Sequence, residues 1–259
     1  MENKKKIFIM TDLEGISGID SIDMIQPGHP RYEYSRKRLM ADTNAAIAGA
    51  FKGGADEVFV CDGHGGGNNF IHELLDPRAK ISTGELSKQL DRSLDAVMFI
   101  GAHAMAGTLN GFLDHTQDSR KWFDYYVNGR KTGEIGQWGI MAGQYNLPVV
   151  MVSGDQAACS EARQFFGHIP CAVVKYGIGR NQAELVPEAI GVERIMNAAK
   201  ESIELISKIK PYRPLLPLDI RLEVYRSDFC DELAGKPGVE RLDARTLRKV
   251  SGNCIDILF

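Results

Sequence analysis

The sequence contains no apolar stretch close to the ~18 residues that a membrane-spanning helix requires. It also contains no long apolar segment of the signal-peptide type, because Asp12 and Glu14 interrupt the first apolar run. We therefore expect a cytoplasmic protein that does not associate with membranes. Lysine and arginine are scattered and the formal net charge is −3. A nucleic-acid partner is not expected, since such binding needs a clustered basic face.

Cysteine is scarce, and several binding motifs are missing. The five cysteines are widely spaced without a CxxC pair, which is typical of reduced thiols in a cytoplasmic protein. The glycine-rich residues 63–67 lack the Lys-Ser/Thr ending of a P-loop and the spacing of a Rossmann fingerprint. Heptads and internal repeats are also lacking, which argues against a structural or scaffold protein.

The sequence does contain apolar strands that alternate with amphipathic helices. Buried strands are predicted over residues 7–10, 58–60, 97–100 and 148–153, and helices over residues 32–52, 134–145, 156–166 and 187–209. A further strand is predicted over residues 112–118. This order predicts an α/β fold with a mostly parallel sheet flanked by helices.

The composition changes at residues 210–217, which contain three prolines. A proline-rich segment of this kind predicts a linker. We therefore expect an α/β domain over residues 1–209 that holds the functional site, and a small β-rich C-terminal appendage over residues 218–259. The appendage is too short to be stable unless it docks on the main body.

Carboxylates and imidazoles follow the predicted strands. Asp12 and Glu14 follow the first strand, His64 the second and His103 the third, while Glu134 begins a predicted helix. In open α/β sheets, ligands bind outside the carboxyl ends of the strands. A mixed nitrogen and oxygen ligand set suits zinc and similar divalent ions. The sequence therefore predicts a metallohydrolase.

Each of these residues also has a simpler interpretation. Asp12 and Glu14 would be a solvated pair, His64 an incidental residue in a flexible glycine loop, and His103 a buried imidazole bonded to a backbone carbonyl. Glu134 would be a carboxylate favoured by the helix dipole. Their joint occurrence at successive strand ends favours the metal site.

Two further polar residues are candidates for supporting roles. His115 follows a short apolar run and titrates near neutral pH, which suits acid–base or nucleophilic work. Asp62 precedes His64 by two residues, so it is either another ligand or a group that orients an imidazole.

Five motifs occur in a fixed order along the chain. They are Asp-x-Glu-Gly-Ile-Ser-Gly at 12–18, Asp-x-His at 62–64, Gly-x-His at 101–103, Asp-His at 114–115 and Gly-Glu-Ile-Gly at 133–136. In these motifs the chain resembles the D-aminopeptidase family, peptidase M55, from residue 6 to about residue 187. An ordered match of several motifs is far more specific than a single short one.

The resemblance implies a two-zinc aminopeptidase that acts on short peptides with an N-terminal D-residue, notably D-Ala peptides. It also implies an α/β fold and a cyclic homo-oligomer that encloses the active sites. By position, it implies His115 as the catalytic histidine, either nucleophile or base. The metal ligands that it implies are Asp12, Glu14, His64, His103 and Glu134.

Other functions stay open from the sequence. A metal-dependent amidase or an L-peptide aminopeptidase would use the same site. A metal-free ligand-binding α/β protein would carry the same residues without using them for catalysis. Manganese or cobalt would suit the mixed ligand set as well as zinc.

Overall fold

The computed structural model describes residues 4–259, apart from the side chains of residues 86 and 87. The strands are β1 Lys6–Thr11, β2 Glu57–Asp62, β3 Lys80–Ile81, β4 Ala96–Ala102, β5 Trp122–Val127, β6 Arg130–Lys131, β7 Val149–Asp155, β8 Cys171–Gly179, β9 Gln182–Leu185, β10 Leu218–Val224, β11 Val239–Arg241 and β12 Thr246–Ser251. The α-helices are α1 Tyr32–Lys52, α2 Leu86–Gln89, α3 Glu134–Gln144, α4 Gln156–Phe166, α5 Glu188–Leu205 and α6 Ser227–Leu233.

The larger sheet has seven strands in the order β3-β2-β1-β4-β7-β8-β9. All neighbours are parallel except β8 and β9, which form an antiparallel pair. β1 lies between β2 and β4, with Met10 opposite Cys61 on one side and Phe99 on the other. The predicted α/β fold with a mostly parallel sheet is confirmed, and parallel strands bring their carboxyl ends to one edge.

Helices cover both faces of this sheet. On one face α1 and α5 pack over a core that includes Ile9, Leu39 and Ile195. On the other face α3 and α4 pack over a core that includes Phe99 and Ile140. α1 and α5 approach closely, since a Cβ on Gly49 would lie 2.3 Å from the carbonyl oxygen of Met196. The amphipathic patterns that predicted α1, α3 and α4 therefore correspond to faces that are buried.

The smaller sheet is antiparallel, in the order β11-β12-β10-β5-β6. Its strands β10, β11 and β12 come from the predicted appendage, whereas β5 and β6 come from the predicted main domain. β10 lies between β12 and β5, with Leu222 opposite Tyr125. The β-rich character of residues 218–259 is thus confirmed. The two parts share this sheet, so it does not separate them into two domains. The division at residues 210–217 stays a prediction.

The prediction of a strand over residues 112–118 was wrong. Leu113 has a positive φ of 51°, which a strand does not allow. The backbone N–H of Leu113 donates to the carbonyl of Arg180 at 2.6 Å, and that of Phe112 donates to a carboxylate oxygen of Asp155 at 2.8 Å. These donors bond a turn and a side chain rather than a neighbouring strand, so the apolar alternation reflects buried loop positions.

Within residues 4–259, no helix combines the length and the apolar composition needed to cross a lipid bilayer.

Candidate metal centre

The ends of β1 and β4 are joined beyond their regular pairing. The N–H of Asp12 donates to the carbonyl of Ile100, and the N–H of Gly15 donates to the carbonyl of Gly101, both at 2.8 Å. A Cβ on Gly101 would lie 2.2 Å from the carbonyl oxygen of Asp12, and its φ is +78°. Glycine is therefore required where β4 turns toward His103. This approach brings the residues that follow the two strands together.

His103 lies at the centre of the cluster and is 2% exposed. Its Nδ1 lies 3.1 Å from the carbonyl oxygen of Ala104, so the ring proton is held there. Its Nε2 lies 3.4 Å from Asp12 Oδ2 and 3.4 Å from Glu134 Oε1. This buried nitrogen has no hydrogen-bond partner among the described residues. This nitrogen thus faces two carboxylates.

Glu134 is the first residue of α3, as predicted. Its side chain does not cap its own helix, because Oε1 accepts a hydrogen bond from the N–H of Gln117 at 2.7 Å. The same oxygen lies 3.7 Å from Nε2 of His115. The interpretation of Glu134 as a capping residue is therefore not supported, and the carboxylate faces the histidines.

His64 is brought to the cluster by a glycine-rich turn. Its Nδ1 lies 3.1 Å from Asp12 Oδ1 and 3.1 Å from Glu14 Oε2. The turn is closed by Asn69, whose backbone N–H donates to Asp62 Oδ2 at 2.6 Å and whose side-chain amide donates to the carbonyl of His64 at 2.9 Å. Asp62 therefore stabilises the turn rather than orienting the imidazole directly.

His115 lies beside His103, and its side chain is 14% exposed. Its Nδ1 lies 2.8 Å from the carbonyl oxygen of Leu113, which fixes the proton on that nitrogen. Its Nε2 is therefore the acceptor and faces Glu134. Potential ligand atoms form two triads, His103-His115-Glu134 and Asp12-Glu14-His103, and within each triad the atoms lie within 4.8 Å of one another. The five predicted ligands and His115 therefore lie in one cluster.

The buried groups shift one another's pKa. Burial would raise the pKa of Glu14, but the facing His64 outweighs burial and holds that pKa well below its ordinary value. Burial, together with the charge of Glu14, raises the pKa of Asp12. For His64, burial is outweighed by Glu14 and Asp12, which raise the pKa to about 11. Three carboxylates this close favour positive charge among them, from protonated imidazoles or from a divalent cation.

A cavity of about 420 Å³ opens onto the cluster. Its size is within the usual range for small-molecule sites. Apart from the titratable side chains, its lining includes the apolar residues Ile22, Ile25, Leu113 and Trp138 and the cation Arg180. The arrangement can bind a small polar molecule and bring it against the carboxylates and imidazoles.

Sequence reasoning missed the buried Lys175 on β8. Its ammonium donates to the carbonyls of Glu14 at 2.7 Å and Ile19 at 2.8 Å, which fixes the loop after β1. Burial outweighs the attraction of nearby carboxylates and lowers the pKa of Lys175 to about 7. The available signal was a lysine that directly follows the apolar residues 172–174.

Glu161 on α4 was also missed. Its Oε2 accepts a hydrogen bond from the N–H of Met105 at 2.7 Å, and Met105 follows His103 by two residues. Burial raises the pKa of Glu161 to about 7. The signal was the position of an acid among Ala158, Ala162 and Phe165 on the apolar face of a predicted helix.

A sequence model of the M55 peptidases, described as D-aminopeptidase, matches residues 5–258. The chain belongs to the M55 D-aminopeptidase family. It is therefore a metallo-aminopeptidase, a hydrolase that acts on peptide bonds, as the sequence predicted. The family resemblance inferred from the five motifs is confirmed over a longer part of the chain than those motifs cover.

Two individual relatives support this membership. The chain is 31% identical over 214 residues to a D-aminopeptidase of Bacillus subtilis (strain 168), with 81% of this chain and 77% of that protein covered. Its fold is similar to that of "Zn-dependent D-aminopeptidase DppA from Bacillus subtilis, a self-compartmentalizing protease", with a TM-score of 0.92 and 28% identity. That match covers 97% of this chain and 93% of the other.

Proposed function

We propose that the chain is a zinc aminopeptidase that removes the N-terminal D-residue of short peptides, D-alanyl peptides in particular. One observation carries the proposal: the buried Nε2 of His103 lies 3.4 Å from carboxylate oxygens of Asp12 and Glu134 and lacks a hydrogen-bond partner within residues 4–259. An unpaired buried polar atom costs free energy. A divalent cation among these three groups would satisfy all of them, and the zinc-dependent relative supports zinc.

Two zinc ions per chain are proposed, because the proposed ligands form two groups that share Asp12. His103 Nε2 faces Asp12 and Glu134, and His64 Nδ1 faces Asp12 and Glu14. A mixed set of imidazoles and carboxylates suits zinc, and manganese or cobalt are alternatives. When bound, zinc supplies a Lewis acid that polarises the scissile carbonyl and activates water. The residues proposed to hold the ions are Asp12, Glu14, His64, His103 and Glu134.

His115 is proposed as the catalytic histidine that transfers protons. The carbonyl of Leu113 holds the proton on Nδ1, so Nε2 can accept a proton from the water molecule that attacks the peptide bond. The same nitrogen then donates that proton to the departing amine. Burial is the largest cause that lowers the pKa of His115, which keeps the ring neutral and able to accept.

The acidic lining of the cavity is proposed to attract the free N-terminal ammonium of the peptide. A cleft lined by negative charge raises the local concentration of positively charged ligands. This attraction would restrict cleavage to the first residue. Apolar residues such as Ile22, Ile25 and Trp138 would contact the side chain of that residue. Selection of the D-form is proposed to follow from the shape of the cavity surface that these apolar residues form.

The chain is also proposed to form a cyclic homo-oligomer. The related B. subtilis structure is described as self-compartmentalizing. Leu109 and Ile178 are exposed in the isolated chain, at 88% and 56%, and exposed apolar side chains favour an interface. Size-exclusion chromatography coupled to light scattering measures the number of subunits. A monomer would contradict the proposal. Cytoplasmic localisation stays a prediction.

The first experiment is elemental analysis of protein purified without a metal-affinity tag, followed by assays on D-Ala-Gly and L-Ala-Gly. We expect about two zinc ions per chain, as the two-metal scheme requires, and faster cleavage of the D-peptide. A protein that neither contains nor takes up zinc, manganese or cobalt would contradict the proposed chemistry. Equal or faster cleavage of L-Ala-Gly would contradict only the D-selectivity.

A further inference from the structure

The charges that line the cavity are unevenly divided. Carboxylates and imidazoles dominate, and among the described residues of the lining Arg180 is the one lysine or arginine. We propose that Arg180 binds the C-terminal carboxylate of the substrate, so that the enzyme selects very short peptides with a free carboxyl group. The inference rests on the proposed aminopeptidase function and names the substrate class of that same site.

Arg180 lies in the turn between β8 and β9, next to the segment that carries His115. Its carbonyl accepts a hydrogen bond from the N–H of Leu113 at 2.6 Å, and both residues line the cavity. The turn is therefore fixed relative to His115. Arg180 and the cluster line the same cavity, and a dipeptide has opposite charges at its two ends. The cavity has the matching distribution, with acids at the cluster and a guanidinium in the turn.

The guanidinium of Arg180 is held in place by some of its N–H donors, and others remain free to bind a ligand. A guanidinium has five N–H donors. Nε donates to the carbonyl of Asp114 at 3.2 Å, and Nη1 donates to the side-chain oxygen of Asn181 at 3.3 Å. Further donors remain for a carboxylate, which binds guanidinium groups in a two-pronged geometry.

The neighbouring Asp114 does not neutralise Arg180 by a close ion pair. Its Oδ1 lies 3.7 Å from Nε of Arg180, and its Oδ2 accepts a hydrogen bond from the N–H of Gly107 at 2.7 Å. The Arg180 side chain is 40% exposed, and its contacts with Asp114 are made through Nε alone. The positive charge of Arg180 therefore stays available to a ligand.

A purely structural role for Arg180 makes a different prediction. Its bond to the carbonyl of Asp114 braces the segment that precedes His115. A brace acts on every substrate equally, because it acts through the position of His115. An anchor for a carboxylate acts only on substrates that have that carboxylate. The two roles are separated by changing the C-terminus of the substrate together with residue 180.

The test measures kcat and KM for D-Ala-Gly, for its C-terminal amide and for D-Ala-Gly-Gly. We expect the wild-type enzyme to prefer the free acid to the amide by roughly tenfold or more, as charge-assisted hydrogen bonds provide. Arg180→Met should lower kcat/KM for D-Ala-Gly by a similar factor, mainly through KM, and should affect the amide far less. The preference for D-Ala-Gly over the tripeptide should shrink in the same variant.

Two further variants make the result decisive. Arg180→Lys keeps the charge without the fork and should recover part of the preference for the free acid. Arg92→Met removes an exposed arginine outside this cavity and serves as the control for general effects. An equal loss on acid and amide in Arg180→Met would overturn the proposal in favour of a brace. No loss on either substrate would overturn it as well.

The wild-type enzyme distinguishes this inference from the function on which it rests. Cleavage of the amide together with equal cleavage of the acid would support the aminopeptidase and refute the carboxylate anchor. Cleavage of none of the three substrates by zinc-loaded protein would refute the proposed function and the anchor together.

Discussion

The imidazole rings of His103 and His115 stack face to face, with their centroids 3.9 Å apart and their planes 10° from parallel. Two imidazoles at this distance cannot both carry a positive charge at low cost. Burial opposes protonation of His103, but Glu134 and Asp12 outweigh burial and raise its pKa well above the ordinary value. For His115, burial and the charge of His103 lower the pKa. The two rings therefore differ. Nε2 of His103 lies among carboxylates that favour a cation, whereas His115 stays neutral and can accept a proton.

His115→Ala should retain the metal and lose turnover. General acid–base groups contribute about 10²–10⁴-fold to rate, so we expect a fall in kcat of that size with the zinc content unchanged. Elemental analysis and steady-state kinetics on D-Ala-Gly measure both quantities. His168→Ala, which changes an exposed histidine, is the matched control. Wild-type kcat in His115→Ala would remove this residue from the mechanism.

His103→Ala should lose the metal itself. The variant removes the nitrogen that faces both Asp12 and Glu134, so we expect weaker zinc binding and a loss of activity that follows the metal content. Titration with a zinc indicator measures the affinity, and His168→Ala again controls for the loss of an imidazole. Undiminished zinc content would exclude His103 from the ligands.

Gly101→Ala should disturb the joint between β1 and β4. Glycine 101 has a φ of +78° and a Cβ would lie 2.2 Å from the Asp12 carbonyl oxygen, whereas Gly54 has a φ of +97° with nothing within 4 Å. Gly54→Ala therefore measures backbone strain alone, about 1 kcal/mol. Gly101→Ala should lower the free energy of unfolding by about 3 kcal/mol or more.

Urea denaturation of the two glycine variants compares those free energies directly. Gly101→Ala should also weaken zinc binding, because Asp12 and His103 flank the displaced backbone, and Gly54→Ala should not. Equal stability losses in the two variants would show that the strands relax to admit a methyl group.

Glu161→Gln should change how stability depends on pH. The Glu161 pKa is about 7 in the folded chain against an ordinary value of 4.5. Below pH 4.5 both states hold the proton, so its contribution to stability is fully present. Between pH 4.5 and 7 only the unfolded chain releases the proton, so the free energy of unfolding falls as pH rises. The glutamine variant lacks this loss, which amounts to about 3 kcal/mol at most.

The measurement is denaturant unfolding at pH 5 and pH 8 in a chelating buffer, so that bound cations do not add their own charge near Glu161. The free energy of unfolding of Glu161→Gln, relative to that of the wild type, should be higher at pH 8 than at pH 5. Glu204→Gln reports the effect of removing an exposed carboxylate. The same difference from wild type at both pH values in Glu161→Gln would contradict the shifted pKa.

The elements with long periodic patterns were predictable from the sequence. The helices α1 and α4 have the predicted bounds, because an apolar face repeated over several turns has one structural interpretation. The structure of residues 112–118 was not predictable in this way. Its apolar residues belong to a buried loop, whose backbone N–H groups donate to Arg180 and Asp155. Local alternation does not distinguish a strand from such a loop.

The residues of the candidate centre were predictable for a topological reason. Parallel strands end at one edge, so polar residues after successive strands meet there. The support of the centre was not predictable in the same way. Lys175 and Glu14 are separated by 161 positions in the chain, and only the order of the strands brings β8 close to the loop after β1.

Strand β8 connects the support of the metal cluster with the proposed carboxylate anchor. Lys175 near its middle holds the loop that carries Glu14, and Arg180 stands in the turn just after its end. Residues added to or removed from the β8–β9 hairpin would move the guanidinium and leave the ammonium in place. Relatives that differ in the length of this hairpin would therefore diverge in the length of peptide they accept while keeping the same hydrolytic chemistry.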